Sequence, residues 1–309
     1  MEDNIFVTIF TPTFNRSHTL HRVYESLCKQ SYTSFEWLII DDGSTDNTKE
    51  WVEKIKIGSS FPIRYYYQEN SGKHIAINRA VNQAYGELFV IADSDDSIKW
   101  NALECFIKHY LELKGADNYA GIWCLVENEM GEVVGDTFPS DPWDCDLKDY
   151  YFKNRIQGEK WQIMRTSVMK KHPMPSIISK GLYIGESIMW MSISKSYKFR
   201  CINESLRVYY LSQDGIMQNN TKNEDVKWKG YLLQFQCIFN DYAEFFRYDP
   251  FFYLKGLVIY NFALYKLKES HLSAFRAIKS PSIKALYGVV YCFLPFIILS
   301  KQLLQFARK

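Results

Sequence analysis

The chain carries almost no net charge: 37 lysines and arginines stand against 35 aspartates and glutamates, a formal +2 over 309 residues. That balance gives nucleic acid binding no compositional support, and any cationic patch must be local. No Cys-x-x-Cys spacing occurs among the seven cysteines (28, 105, 124, 145, 201, 237 and 292), and an odd number cannot pair off completely. They read as reduced, mostly buried thiols of a reducing compartment. The basic start and apolar core of a secretory leader are missing from the acidic Met1-Glu2-Asp3-Asn4, so the catalytic portion is expected in the cytoplasm. No internal repeat or low-complexity tract is visible. The apolar stretch 285–299 has 15 residues and contains Pro295. A spanning helix needs about 20, so this stretch is expected to lie at an interface rather than cross a bilayer.

What the chain has in quantity is apolar and aromatic surface: 47% hydrophobic residues, with 22 tyrosines, 21 phenylalanines and 8 tryptophans. That is ample for a core and suits either sugar stacking or a membrane interface. Over residues 1–115, apolar runs at 5–10, 37–40, 63–67 and 88–92 read as strands. Helical spacing at 19–30, 45–55 and 73–84 separates them. Such alternation predicts right-handed βαβ units and a mostly parallel sheet flanked by helices. From about 121 to 210 the texture changes to a hairpin around Met130-Gly131, a Pro/Asp/Trp-rich loop at 139–146, and strands at 199–202 and 206–210. Beyond 224 the pattern is helical. The expected organisation is a catalytic domain over 1–222, divided at 115/116 into a donor half and an acceptor half, followed by a helical, membrane-associating region over 223–309.

The most informative feature is Asp93-Ser94-Asp95-Asp96, three carboxylates directly after a buried-strand pattern at 88–92. Open α/β sheets bind ligands at the carboxyl ends of their strands. Three like charges in four residues repel one another unless a cation or hydrogen-bond donors sit among them, and a hard divalent ion such as Mg²⁺ or Mn²⁺ fits best. A solvated acidic turn is the bland alternative, and the preceding apolar strand argues against it. The other strand ends are also polar. Thr11-Pro12-Thr13-Phe14-Asn15-Arg16 offers hydroxyl, amide and guanidinium groups to a base or phosphate. Asp41-Asp42-Gly43-Ser44 makes a tight turn before a helix, with Ser44 as a cap. In Gln68-Glu69-Asn70-Ser71-Gly72-Lys73-His74, Lys73 begins a helix, where it could neutralise a diphosphate or be merely solvated. Asn78 sits in a helix interior, where asparagine is disfavoured, which points to a polar task.

Taken in order, Thr11-Pro12-Thr13-Phe14-Asn15-Arg16, Asp41-Asp42-Gly43-Ser44-Thr45-Asp46, Asn70-Ser71-Gly72-Lys73 with Asn78-Arg79-Ala80, and Ala84-Tyr85-Gly86-Glu87 with Asp93-Ser94-Asp95-Asp96 resemble the signature of family 2 glycosyltransferases of the GT-A fold. The resemblance is to enzymes of bacterial cell-surface polysaccharides and covers residues 5 to about 220. It implies an inverting, metal-dependent transfer from a nucleoside-diphosphate sugar, most simply a UDP-sugar, to a saccharide or lipid-linked acceptor at the inner face of the cell membrane. It also implies that Thr11, Pro12, Asn15, Arg16, Asp42, Asn70, Lys73, Asn78, Asp93 and Ser94 bind the donor, Thr11, Pro12 and Asp42 at the base and Asp93 at the ribose. Asp95, with Asp93 and Asp96, would hold Mn²⁺ or Mg²⁺. The family places its general base in a Glu-Asp pair, and here Gly185-Glu186-Ser187 leaves Glu186 as the leading candidate. Residues 161–171 resemble the acceptor-side segment, and a late metal-binding histidine is replaced by the stretch with Gln213 and Asp214. Two other functions remain open on the residues: a nucleotidyltransferase of similar topology and a non-catalytic nucleotide-sugar-binding membrane scaffold. A glycoside hydrolase would not need the nucleotide-type turns.

Overall fold

The computed structural model describes residues 6–177, 182, 184–211 and 224–306. Contacts divide the chain into two compact units, one of Met1–Gly181 with Met189–Gly215 and one of Leu182–Ile188 with Ile216–Lys309.

The first unit is an α/β fold around a nine-stranded sheet. Strands β1 (Val7–Thr13), β2 (Phe35–Asp41), β3 (Ile63–Tyr67) and β4 (Leu88–Ile91) alternate with helices α1 (Leu20–Leu27), α2 (Thr48–Lys56) and α3 (Lys73–Gln83). The order β3-β2-β1-β4 is wholly parallel, as the alternation predicts. All seven residues of β2 and all four of β4 are buried, so these strands are covered on both faces. Helix α1 buries Leu20, Val23 and Leu27, the i, i+3, i+7 stripe that a helix lays on a sheet. Each fully buried side chain of this size stabilises the fold by roughly 1.5–3 kcal/mol, before entropy is counted.

The second half of the sheet is mixed. After β5 (Ser97–Ile98) and α4 (Ala102–Glu112) come β6 (Tyr119–Asn128), β7 (Trp143–Cys145), β8 (Lys160–Arg165) followed by α5 (Thr166–Lys171), and β9 (Lys198–Tyr209). Strand β8 is antiparallel to β4 and β6, β9 is parallel to β6, and β5 and β7 run antiparallel to β9. The expected strands at 199–202 and 206–210 are one strand: its pairing with β6 jumps from Cys124↔Ile202 to Leu125↔Ser205, a bulge that sets Asn203 and Glu204 outside the ladder. The expected hairpin at Met130-Gly131 is a tight turn, with Asn128 N donating to Glu132 O at 2.8 Å.

At the amino-terminal end of β1, Thr8 Oγ1 donates to the buried Glu36 carboxylate at 2.7 Å and accepts from Gly86 N at 2.8 Å. Arg64 closes the network on Glu36 at 2.9 Å. A Cβ on Gly86 would stand 2.3 Å from Thr8 N, so only glycine lets these strands meet there.

The second unit is helical, with helices Glu224–Asp241, Pro250–Leu267, His271–Ala277 and Pro281–Phe306. Asp249 caps the second of these by accepting from Phe252 N, with Pro250 at the first turn. Its core is aromatic: Phe239 packs on Tyr253 and Tyr260, and Tyr260 on Tyr287. No helix among the described residues is long and apolar enough to cross a membrane.

Candidate active site

The carboxyl ends of β1, β2, β3 and β4 carry the residues singled out in the sequence. Thr11 is fully buried, and its Oγ1 accepts from Trp37 Nε1 at 2.9 Å, so its hydroxyl braces β1 against β2. Asn15 adopts a left-handed φ of 53° and joins two loops: its N donates to Ser44 Oγ and its Oδ1 accepts from Thr45 N, both at 2.8 Å. Pro12 lies between them at the end of β1, half-buried. Gly43, at φ 93°, is held 2.9 Å from Asn70 N at its Cβ position, which allows the loops after β2 and β3 to close on each other.

The adjacent aspartates at the end of β2 each have separate partners. Asp41 accepts from Ser44 N at 2.7 Å and from Tyr65 Oη at 2.6 Å. Asp42 accepts from Gln68 Nε2 and Ser71 N at 2.8 Å, and from Gly72 N at 2.9 Å. Asn70 Nδ2 donates to the Asp42 carbonyl. Asp42 and Asn70 therefore shape the loop that leads to Lys73. Asn78, expected to bind the donor, has both amide groups engaged by the backbone of Met174, donating to its O at 2.9 Å and accepting from its N at 2.8 Å. His74, fully buried one turn earlier, donates from Nε2 to Ile177 O at 2.8 Å.

The acid cluster after β4 is compensated cation by cation. Asp93 lies between Lys73 Nζ, at 2.6 Å from Oδ1, and Arg207 Nη2, at 2.9 Å from Oδ2. Burial pushes the Asp93 carboxyl up, but Lys73 and Arg207 outweigh it and hold it down at about 2. Asp96 accepts from Arg207 Nε at 2.7 Å and from Tyr210 N at 3.0 Å. Burial dominates there, pushing its carboxyl up to about 6 against the pull of Arg207. Asp95 has the Arg16 guanidinium at 4.0 Å and keeps a fifth of its side chain exposed. Burial and the neighbouring Asp93 raise its pKa, the electrostatic condition of a carboxylate that a further cation would stabilise. Ser94 is buried between Asp93 and Asp95 in sequence.

The sequence reading missed Arg207, Arg22 and Tyr210. Arg207 is nine-tenths buried on β9 and joins Asp93 to Asp96. Arg22 donates to Asp95 O at 3.0 Å and lies 4.4 Å over the Tyr210 ring. A signal was present: an arginine inside the apolar strand Leu206-Arg207-Val208 must find buried acids. Nothing local named its partners, which are over a hundred residues away.

Trp161, at the start of the expected acceptor-side segment, is a core residue whose Nε1 donates to Ile91 O at 2.6 Å. Glu186 is half-buried in the second unit, directly before helix α6 (Ser187–Ile193). Within that unit Gln234 Nε2 donates to Ser187 Oγ and Tyr242 Oη to Ile188 O, each at 3.3 Å. Gln213 and Asp214 lie outside the described residues.

The profile described as Glycosyl transferase family 2 matches residues 8–165. Over 234 residues the chain is 26% identical to the GalNAc(5)-diNAcBac-PP-undecaprenol beta-1,3-glucosyltransferase of Campylobacter jejuni, covering 73% of this chain and 72% of that protein. Among solved structures, Staphylococcus aureus TarS 1–349 in complex with UDP-GlcNAc superposes with a TM-score of 0.62 at 19% identity, over 91% of this chain and 84% of that one. The Pyrobaculum calidifontis mannosyltransferase PcManGT, in complex with GDP-Man and Mn²⁺, gives 0.53 at 16% identity, over 93% and 79%. With the strand-end signature, the parallel donor half and a profile match spanning just over half of the sequence, the chain belongs to glycosyltransferase family 2 and has its GT-A fold.

Proposed function

We propose that this glycosyltransferase moves a sugar, with inversion, from a UDP-sugar to a lipid-linked saccharide acceptor during synthesis of a cell-surface polysaccharide. The observation that carries the donor half is the set of groups after β4: Asp93, Asp95 and Asp96 held by Lys73, Arg207 and Arg16 at the carboxyl edge of a parallel sheet. The UDP-GlcNAc named for TarS and the undecaprenol-linked acceptor named for the C. jejuni enzyme support the choice of donor and acceptor class.

The acids fit a divalent ion through Asp95, which is partly exposed and whose pKa is raised by burial and Asp93. Asp95 would hold the ion with Asp93 beside it, while Asp96 remains engaged by Arg207 and Tyr210 N. Mn²⁺ or Mg²⁺ bound there supplies charge neutralisation at the diphosphate. Lys73, at the start of α3, adds a cation on the same side, and its bond to Asp93 keeps it oriented. Asp42 and Asn70 hold the loop that carries Lys73, and Thr11, Pro12, Asn15, Arg16 and Ser94 form the floor and wall toward the base and ribose. On the acceptor side, Glu186 takes the hydroxyl proton as the nucleophile attacks, a role worth on the order of 10² to 10⁴ in rate. One base and one displacement invert the anomeric centre, so an α-linked donor gives a β-linked product. Peripheral membrane contact through the carboxyl-terminal helices would bring the enzyme to its acceptor at the inner face of the membrane.

A thermal-shift panel of nucleoside diphosphates with and without Mn²⁺ tests the donor assignment, because a ligand that binds only the native state raises its stability. UDP should give the largest shift, enhanced by Mn²⁺ and not enhanced in Asp95→Asn. Equal shifts with and without metal in both proteins would remove Asp95 from the metal site.

A further inference from the structure

Away from the strand-end acids, three side chains in the first unit bring sulfur, nitrogen and oxygen donors together. Cys105 and His109 are four residues apart on α4 and so share one face of it, and Glu204 stands on the bulge of β9. One ligand atom from each lies within 4.8 Å of the others, and no other such group of three occurs among the described residues. The His109 Nδ1 is buried without a hydrogen bond, with Glu112 Oε2 at 3.5 Å, an ion pair when the ring is protonated, on a carboxylate that also accepts from Arg200 at 3.0 Å.

We propose that Cys105, His109 and Glu204 bind a divalent transition-metal ion of the zinc type, separate from the ion at the diphosphate. The donor set decides the class: a thiolate and an imidazole prefer a borderline-soft ion, whereas Mg²⁺ and Mn²⁺ prefer oxygen. Without metal, burial and the Glu204 carboxylate push the Cys105 thiol up to about 12, so it is protonated. Binding therefore replaces the S–H bond by a sulfur–metal bond and releases one proton to solvent. The ion would tie α4 to the bulge three residues before Arg207, stiffening the strand that carries the cation between Asp93 and Asp96. Glu204 is exposed at the rim, leaving a path for entry.

Cobalt titration of the untagged, anaerobically purified full chain provides the test, because thiolate-to-cobalt absorption in the near ultraviolet reports sulfur ligation and the strand-end aspartates offer no sulfur. One equivalent of Co²⁺ should produce the band, Zn²⁺ should displace it, and Cys105→Ser should abolish it. Glu204→Gln, at an exposed position that should not disturb folding, should weaken cobalt affinity by more than the roughly 10- to 100-fold that loss of an outer-shell partner costs. A separate thiol pair, Cys145 and Cys201 with sulfurs 3.6 Å apart, serves as the control: Cys201→Ser should keep the band. Absence of the band, its survival in Cys105→Ser, or unchanged affinity in Glu204→Gln would overturn the proposal.

Discussion

Neighbouring charged residues at the end of β4 have opposite consequences when changed. Asp95 is the acid that burial and Asp93 disfavour, so Asp95→Asn should leave the melting temperature unchanged or raised while turnover falls by roughly 10² or more. Assays beside melting curves decide it, and near-native turnover would dismiss Asp95. Arg207 is the reverse case: it is buried between two carboxylates, and Arg207→Met leaves Asp93 with Lys73 alone and Asp96 with only the Tyr210 N–H. Loss of about 3–5 kcal/mol in chemical denaturation is expected, and a loss under about 1 kcal/mol would mean that water replaces the guanidinium. Asp46 contributes to the acid dependence of the donor loops. Burial pulls its carboxyl up, but donors from Thr48 and Ser17 prevail and lower its pKa. A folded pKa below the unfolded value gives stability that is present above the unfolded value, about 3.9. That stability is lost as pH falls through the folded pKa. Asp46→Ala should therefore lose about 1 kcal/mol near pH 7 and flatten the acid limb of the stability curve, measured with chelator present. Parallel curves would contradict this.

At the scale of elements, strands β1 to β4 and helices α1 to α3 were legible because a two-face-buried strand and an amphipathic helix leave different local patterns. The acid turn after β4 and the lysine at the start of α3 were legible for the same reason, each being fixed by its own strand or helix end. What the sequence hid is long-range. Residues 199–202 and 206–210 read as two strands because the bulge at Asn203 and Glu204 interrupts an otherwise continuous pattern. The partners of Asp41 and Asp42 were hidden because Tyr65, Gln68 and Gly72 come from the next strand and loop. The segment holding Glu186 gave no hint that its partners are Gln234 and Tyr242. Tyr242 is buried, and Tyr242→Phe leaves the Ile188 carbonyl without that donor, at a cost of roughly 1–3 kcal/mol. If Glu186 is the base, this variant should lower kcat while donor affinity by calorimetry stays the same. A loss confined to donor affinity would contradict that role.

For the whole molecule, the proposed membrane contact rests on the carboxyl-terminal helix Pro281–Phe306. It buries Ile283, Tyr287 and Val290 and exposes Val289, Tyr291 and Phe293. Val289 and Phe293, four residues apart, share an exposed face beside the buried one, so packing and membrane contact are compatible, and deleting the helix would strip the second unit of part of its core. The cleaner variant is Val289→Glu with Phe293→Glu, which should release the protein from anionic vesicles in flotation without lowering its melting temperature. Flotation unaffected by the double substitution would move the membrane contact elsewhere. The central claim is glycosyl transfer from a nucleoside diphosphate, and phosphorus NMR of the nucleotide product tests it most directly. The protein would be incubated with UDP-sugars, Mn²⁺ and undecaprenyl-diphosphate saccharides. Free UDP should accumulate in step with acceptor consumption, and should fail to do so in Asp95→Asn. Release of pyrophosphate would instead mark a nucleotidyltransferase, and donor binding with no product on any acceptor would mark a scaffold that retains the fold without the reaction.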